Sequence, residues 1–340
     1  MLNNKSIIIA EVGVNHNGRL TNAKKLILAA KKIGADYVKF QCYKTENIVH
    51  KKAQLAEYQK KNNFKFSSQF EMLKFLELSQ KKIIELFRYS KKNKIGFLCS
   101  VFDLDSANFI RKLNCDYIKI PSGEITNFQL LKIVGSFKKK VIISSGGSNL
   151  REIINAKKIL NKSGLKDNKI VLLHCISSYP TKTKHINLNS IDYLKEKTGL
   201  QIGLSDHTKS TTVASYAACK GAKIIEKHIT LDNSMAGPDH KSSLNTTNFK
   251  IMVSNIRKVD EILGLKNKIM SQPEKKNIPI IRKSIYAKKN IKKNETISFK
   301  NIKTLRPIIG IPAENIFKIL NKKVKNDILI NQPIFQKDIK

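Results

Sequence analysis

Two histidines end consecutive apolar runs in this chain: His207 in Gly203-Leu-Ser-Asp-His-Thr208 and His228 in Ile224-Ile-Glu-Lys-His-Ile229. Neighbouring strand ends would let both imidazoles share one divalent ion. Neutral imidazole is the commonest protein ligand for such an ion, and two ligands leave coordination positions open for substrate. The competing reading is a pair of hydrogen-bonded strand-end histidines. Other chemistry-bearing residues fall at the same point of their own runs. Glu11 precedes Asn15-His-Asn-Gly18, and Lys39 and Gln41 end the second run. Lys119-Ile-Pro-Ser-Gly-Glu124, Ser144-Ser-Gly-Gly147 and His174-Cys-Ile-Ser-Ser-Tyr-Pro180 follow, then Ser205 and Glu226 beside the histidines. Lys39 and Lys119 supply positive charge suited to a phosphate. Ser122, Ser144 and Ser205, with nearby glycine amides, supply hydrogen bonds to its oxygens. Glu11 and Glu226 either partner those lysines or serve proton transfer and hydroxyl binding. Charge inside apolar runs is costly unless paired, so these groups need one another or a ligand.

The elements that must carry them read as eight short apolar runs: Ile7–Val12, Tyr37–Gln41, Gly96–Ser100, Tyr117–Ile120, Val141–Ser144, Ile170–His174, Gln201–Leu204 and Lys223–Glu226. Segments of helical spacing separate them, among them Asn22–Ile33, Gln80–Lys92, Asp105–Leu113, Leu150–Leu160 and Thr211–Lys220. Connections this long exclude hairpins, so the sheet is expected to be parallel. Eight such units predict an α/β fold, a (β/α)8 TIM barrel, whose active site is built at the C-terminal ends of the strands. An open doubly wound sheet is the alternative, but no GxGxxG opens a helix after the first strand. The segment Lys44–Leu78 is an unusually long connection, which in a compact domain is expected to be functional or partly structured. A last amphipathic helix, Thr247–Leu263, ends at Gly264. The expected domains are 1–265 for the barrel, 266–281 for a polar, proline-containing linker, and 282–340 for a small β-prone domain.

The net charge of +38 raises the question of nucleic acid. The excess is almost all lysine, with seven arginines, and is spread along the chain. Residues 266–340 carry 19 basic and 5 acidic side chains. No basic stripe with interleaved aromatics occurs, so solvated lysine faces are expected rather than a nucleic-acid partner. No apolar stretch approaches the roughly 18 residues of a membrane span, and the N-terminus runs straight into a strand pattern, so a cytoplasmic protein with no membrane contact is expected. The five cysteines form no CxxC pair and read as small hydrophobes.

Taken together, several strings resemble the N-acetylneuraminate (sialic acid) synthase family and its relatives that make other nine-carbon 2-keto acids. They are Ile9-Ala-Glu-Val-Gly-Val-Asn-His-Asn-Gly18, Val38-Lys-Phe-Gln41, Lys119-Ile-Pro-Ser-Gly-Glu-Ile-Thr-Asn127, His174-Cys175, Tyr179-Pro180, Gly203-Leu-Ser-Asp-His-Thr208, Ile225-Glu-Lys-His228 and Gly237-Pro-Asp-His-Lys-Ser242. Arg282-Lys-Ser284, Ile291-Lys-Lys-Asn-Glu295 and Leu305-Arg-Pro307 are similar to that family's C-terminal antifreeze-like (SAF) domain. The resemblance implies condensation of phosphoenolpyruvate with N-acetylmannosamine, or a close N-acyl sugar, and water, giving N-acetylneuraminate and phosphate. The alternative product is N,N'-diacetyllegionaminate, from 2,4-diacetamido-2,4,6-trideoxymannose. It also implies a divalent metal ion, Mn2+ or Mg2+, on His207 and His228, and Glu11 at the reacting centre. Phosphoenolpyruvate would be held by Lys39, Lys119, Ser122, Ser144 and Ser205, with Glu124 closing the same motif as Ser122. Tyr179, Glu226 and Asp239 match positions that contact the sugar. Arg306 matches an arginine that closes over the acyl group in the other subunit, which implies a domain-swapped homodimer.

Departures from the family pattern are Cys99-Ser-Val-Phe-Asp103, which lacks the usual proline, Ser145-Gly-Gly147, Ile176-Ser-Ser178 and Ile308-Ile309. The last two touch sugar recognition rather than the reaction. A different class, a non-catalytic sugar-binding barrel, would be favoured by loss of a metal histidine, Glu11 or both phosphate-site lysines. All are present.

Overall fold

The computed structural model describes residues 5–61, 66–264 and 267–340. Eight parallel strands pair in chain order: β1 (Ile7–Gly13), β2 (Tyr37–Cys42), β3 (Gly96–Val101), β4 (Tyr117–Ile120), β5 (Lys140–Ser144), β6 (Ile170–Cys175), β7 (Gln201–Asp206) and β8 (Ile224–Thr230). β1 also pairs with β8, so the sheet closes into the expected (β/α)8 barrel. One helix follows each strand: Leu20–Ile33, Gln80–Lys92, Leu104–Lys112, Phe128–Ser136, Leu150–Lys162, Ser190–Thr198, Val213–Cys219 and Thr246–Leu263. Side-chain caps start several of them. Asp103 accepts from the Ser106 amide, Asn127 from Leu130, and Asn149 forms a capping box with Glu152.

Strand side chains alternate between two faces, and here the two faces have different tasks. One set, including Ile8, Ala10, Val12, Val38 and Phe40, packs against the helices. The other fills the barrel. Its lower part is an apolar plug of Ile9, Leu98, Tyr117, Ile142, Val171, Leu173 and Ile224. Each fully buried side chain of this size contributes about 1.5–3 kcal/mol. Gly203 completes the plug by being absent as a side chain: a Cβ there would lie 2.4 Å from the Ile224 carbonyl oxygen and 2.5 Å from Leu173. One strand repeat further along, the same inward positions become Glu11, Lys39, Ser100, Lys119, Ser144, Cys175, Ser205 and Glu226.

The long β2–β3 connection carries three short helices, Thr45–Ile48, Glu57–Lys61 and Gln69–Leu76. Met72 and Leu76 pack with Val14 of the β1 loop. Residues 62–65 of that expected segment lie outside the described residues. A two-residue strand, β9 (Leu244–Asn245), pairs with the end of β8.

The chain divides into two compact units at Gly264. The second has its own aliphatic core, including Ile285, Ile291, Ile297, Ile319, Val324 and Ile334. Its antiparallel pair is β10 (Ser284–Ala287) with β11 (Ile302–Leu305). Much of the expected linker is helical instead: Gln272–Ile281 starts on a Ser271–Glu274 capping box with Pro273 in its first turn. The Pro279 carbonyl accepts from the Ile308 amide, which attaches this helix to the second unit. No helix among the described residues is long and apolar enough to cross a membrane.

His16 shows what burial costs in this barrel. Its Nδ1 accepts from the Gly18 amide at 2.9 Å, which requires an unprotonated nitrogen. Burial first, then the charges of Lys82 and His240, lower its pKa to about 4 from the ordinary 6.5. Between those values the unfolded chain binds the extra proton, so this contribution is complete above pH 6.5 and is lost as pH falls toward 4. We predict that acidification from pH 7.5 to 5 removes about 2 kcal/mol through this residue. Urea unfolding of His16→Asn, which keeps an acceptor for Gly18, should show a correspondingly shallower pH dependence; an unchanged slope would refute the assignment.

Candidate active site

At the C-terminal ends of the strands the polar side chains enclose a cavity of about 270 Å³. Glu11, Lys39, Lys119, Ser122, Ser144, Tyr179, Ser205, His207, Glu226, His228 and Asp239 all line it. Glu124 does not: its carboxylate accepts from Asn127 Nδ2 at 2.7 Å within its own turn. Arg306 lies in the second unit, on its surface.

Strand register sets the neighbours. Glu11 stands opposite Lys39 on one side and His228 on the other, and Ser205 stands opposite Glu226. Lys39 Nζ lies 3.3 Å from Glu11 Oε2 and 3.1 Å from Glu226 Oε1, and donates to Ser100 Oγ at 3.0 Å. All three charged side chains are essentially excluded from solvent. Burial drives the Glu11 carboxyl up to about 7, with Lys39 opposing and the Glu226 charge adding to the rise. Burial also acts upward on Glu226, but Lys119 and Lys39 together outweigh it and hold that group down at about 2. The surroundings thus push the two neighbouring carboxyls in opposite directions, Glu11 up and Glu226 down.

Lys119 is placed differently. Its ammonium donates to Ser144 Oγ at 2.7 Å and to the Ile120 carbonyl at 3.2 Å. Among the described residues it has no salt bridge. Burial lowers its pKa to about 8. Beside it, Ser122 Oγ accepts from the Gly146 amide at 3.0 Å. A Cβ on Gly146 would come within 2.2 Å of Ser177 Oγ and 2.8 Å of Ser122 Oγ, so any larger residue there would displace those two hydroxyls.

The imidazoles of His207 and His228 stand with ring centroids 5.4 Å apart, and the Tyr179 ring lies 4.2 Å from that of His207. His207 Nδ1 faces the Ile176 carbonyl at 2.7 Å, so Nδ1 carries a proton and the neutral ring keeps its lone pair on Nε2. Among the described residues His228 Nδ1 is buried with no hydrogen-bond partner; burial first, then the charge His207 carries when protonated and that of Lys39, hold this ring well below the ordinary histidine pKa. Asp239 Oδ2 is 3.7 Å from it. Among the described residues no group of three or more His, Cys, Asp or Glu side chains forms a ready cation cage. The two rings nevertheless fit a shared ion, because an imidazole ligand's ring centre stands roughly 3 Å from its metal. The orphaned lone pair of His228 is the structural sign of that fit.

Ser100, Cys175 and Ser177 also line the cavity, as do Gln59, Met72, Leu73 and Leu76 from the β2–β3 connection. Ser100 was open to detection, since it lies two residues beyond the inward-facing Leu98. The length of the connection marks it in the sequence, but nothing there indicates which of its residues reach the cavity.

The NeuB family pattern matches residues 26–268, and the SAF domain pattern matches residues 282–340. The chain is 45% identical to an N,N'-diacetyllegionaminic acid synthase of Campylobacter jejuni, covering 96% of this chain and 99% of that protein. It is 40% identical to the enzyme of the same name from Legionella pneumophila, covering 94% and 91%. Among solved structures, an N-acetylneuraminic acid synthetase from Leptospira borgpetersenii in complex with citrate superposes with a TM-score of 0.71 at 31% identity, over 81% of this chain and 91% of that one.

Lys39 is the only cation bridging the two buried carboxylates among the described residues, so its removal has a defined cost. Lys39→Met should lower stability by about 3–5 kcal/mol, the penalty for a stranded buried charge. Adding Glu226→Gln to that variant should recover a large part of the loss. Urea unfolding of the two single variants and the double reads this directly, and strictly additive losses would refute the bridge.

Proposed function

The chain belongs to the NeuB family, and from that premise we propose that it condenses phosphoenolpyruvate with 2,4-diacetamido-2,4,6-trideoxymannose and water, giving N,N'-diacetyllegionaminate and phosphate. The motif reading placed N-acetylmannosamine first as acceptor. The higher identity to the two legionaminic acid synthases than to the sialic acid synthetase favours the diacetamido sugar. The observation that carries the reaction class is Lys119, a buried ammonium whose hydrogen bonds among the described residues go to a hydroxyl and a carbonyl, at the wall of an open cavity. Such a cation calls for an anionic ligand.

In this reading Lys39 and Lys119 meet the phosphate and carboxylate of phosphoenolpyruvate, and Ser122, Ser144 and Ser205 donate to its oxygens. C3 of phosphoenolpyruvate attacks the aldehyde carbon of the sugar, water adds at C2, and the tetrahedral centre collapses by C–O cleavage with loss of phosphate. Glu11, tuned to about 7, is suited to accept the proton of that water and return it to a departing oxygen. Tyr179, Glu226 and Asp239 contact the sugar. His207 and His228 would hold a divalent ion, Mn2+ or Mg2+, which when bound would supply Lewis-acid polarisation of the aldehyde. Arg306 closes over an acyl group in the partner subunit of a domain-swapped homodimer, and the role of Glu124 is to shape the turn carrying Ser122.

Phosphate release from phosphoenolpyruvate, assayed with Mn2+ and each acceptor in turn, tests the reading. The diacetamido sugar should exceed N-acetylmannosamine in kcat/KM by about tenfold or more, as expected when a site built for an amide meets a ligand lacking it. A preference for N-acetylmannosamine would return the assignment to N-acetylneuraminate synthesis, and no release with either sugar would sink the reaction. Chelation should abolish turnover and Mn2+ restore it. Arg306→Ala should raise the acceptor KM by about tenfold with the dimer intact; an unchanged KM in a dimeric variant would remove the cap.

A further inference from the structure

Between the cavity-facing pairs Ser205–Glu226 and His207–His228 lies a pair that does not line the cavity. Asp206 and Lys227 are register partners on β7 and β8, and both are fully buried. Lys227 Nζ lies 2.7 Å from Asp206 Oδ2 and also donates to the carbonyl and the hydroxyl of Thr208. An ammonium has three N–H donors, and here all three find acceptors within Asp206–Thr208. Asp206 Oδ1 in turn accepts from the Thr208 amide at 2.8 Å. Thr208 is therefore held at both its amide and its carbonyl, and His207 sits inside that clamp. The His207 carbonyl accepts from the Thr181 amide at 2.9 Å, and its ring is steered by the Ile176 carbonyl.

Stability alone does not account for this arrangement. Burying two charges costs about as much as their attraction returns, and an apolar pair of the same size packs as well. What an apolar pair cannot do is grip the Thr208 amide and carbonyl, the backbone that leads directly out of His207. We propose that Asp206 and Lys227 are positioning residues that hold the His207 ring where it can share a divalent ion with His228. The inference rests on the two-histidine reading of the site.

The test is Mn2+ binding by the full-length protein without substrates, read as free Mn2+ by electron paramagnetic resonance. Asp206→Leu combined with Lys227→Met removes both charges together, so no stranded charge unfolds the chain. It should keep a cooperative urea transition and bind Mn2+ about tenfold to a hundredfold more weakly, the usual cost of losing a ligand's supporting contacts. Asp206→Asn retains an acceptor for the Thr208 amide and should fall between the double variant and the wild type. A folded double variant that binds Mn2+ like the wild type, or one that does not fold, assigns the pair to the fold and overturns the inference. His207→Ala separates the two claims. If it binds Mn2+ as the wild type does, or the wild type binds none, the two-histidine reading fails and takes this inference with it.

Discussion

The structure depends on one constraint: a charge pointing into a closed barrel is largely removed from bulk solvent, so it must be answered by another side chain or by a ligand. Over the lower part of the barrel the problem is avoided, because Ile9, Leu98, Ile142, Leu173 and Ile224 fill it. One repeat further along, Glu11, Lys39, Lys119 and Glu226 enter together. Lys39 between two carboxylates makes a group that is expensive to assemble and expensive to break. Register sets one half of it, since Glu11 and Lys39 are opposite one another on adjacent strands, and Glu226 reaches Lys39 across the barrel interior.

The ladder between β7 and β8 pairs Ser205 with Glu226 and Asp206 with Lys227, and His207 follows directly after the end of β7. Ser205, His207, Glu226 and His228 line the cavity, whereas Asp206 and Lys227 do not. Strand pleating thus alternates cavity-lining side chains with a buried ion pair along the same two chain segments. The apolar plug below gives both sets a rigid floor, which is what positioning within a fraction of an ångström requires.

Much of this was legible in the sequence, for identifiable reasons. The eight strand cores stood out as apolar runs, and the inward-facing polar residues stood out because charge is conspicuous there. The strand ends were harder. The last two runs read as stopping at Leu204 and Glu226, whereas β7 continues to Asp206 and β8 to Thr230. Polar residues that resemble turn signals are ladder members once a cross-strand partner neutralises them. The helical period is weaker in Ser190–Thr198, where only Ile191, Leu194 and Thr198 are buried, and in Phe128–Ser136, whose apolar run blurs it. Helix Gln272–Ile281 was concealed by its two prolines, although Pro273 occupies a first-turn position where no amide is needed. Gln59, Met72 and Leu73 could not be foreseen, since their place at the cavity depends on how a long connection folds back.

That connection divides responsibility within the cavity. The charged floor belongs to the strands, where any substitution disturbs several partners at once. Met72, Leu73 and Leu76 reach the same space from a short helix outside the barrel, meeting it through Val14. Side chains on this rim can therefore change without disturbing the charged floor, so what the cavity admits is set separately from the groups that line its base.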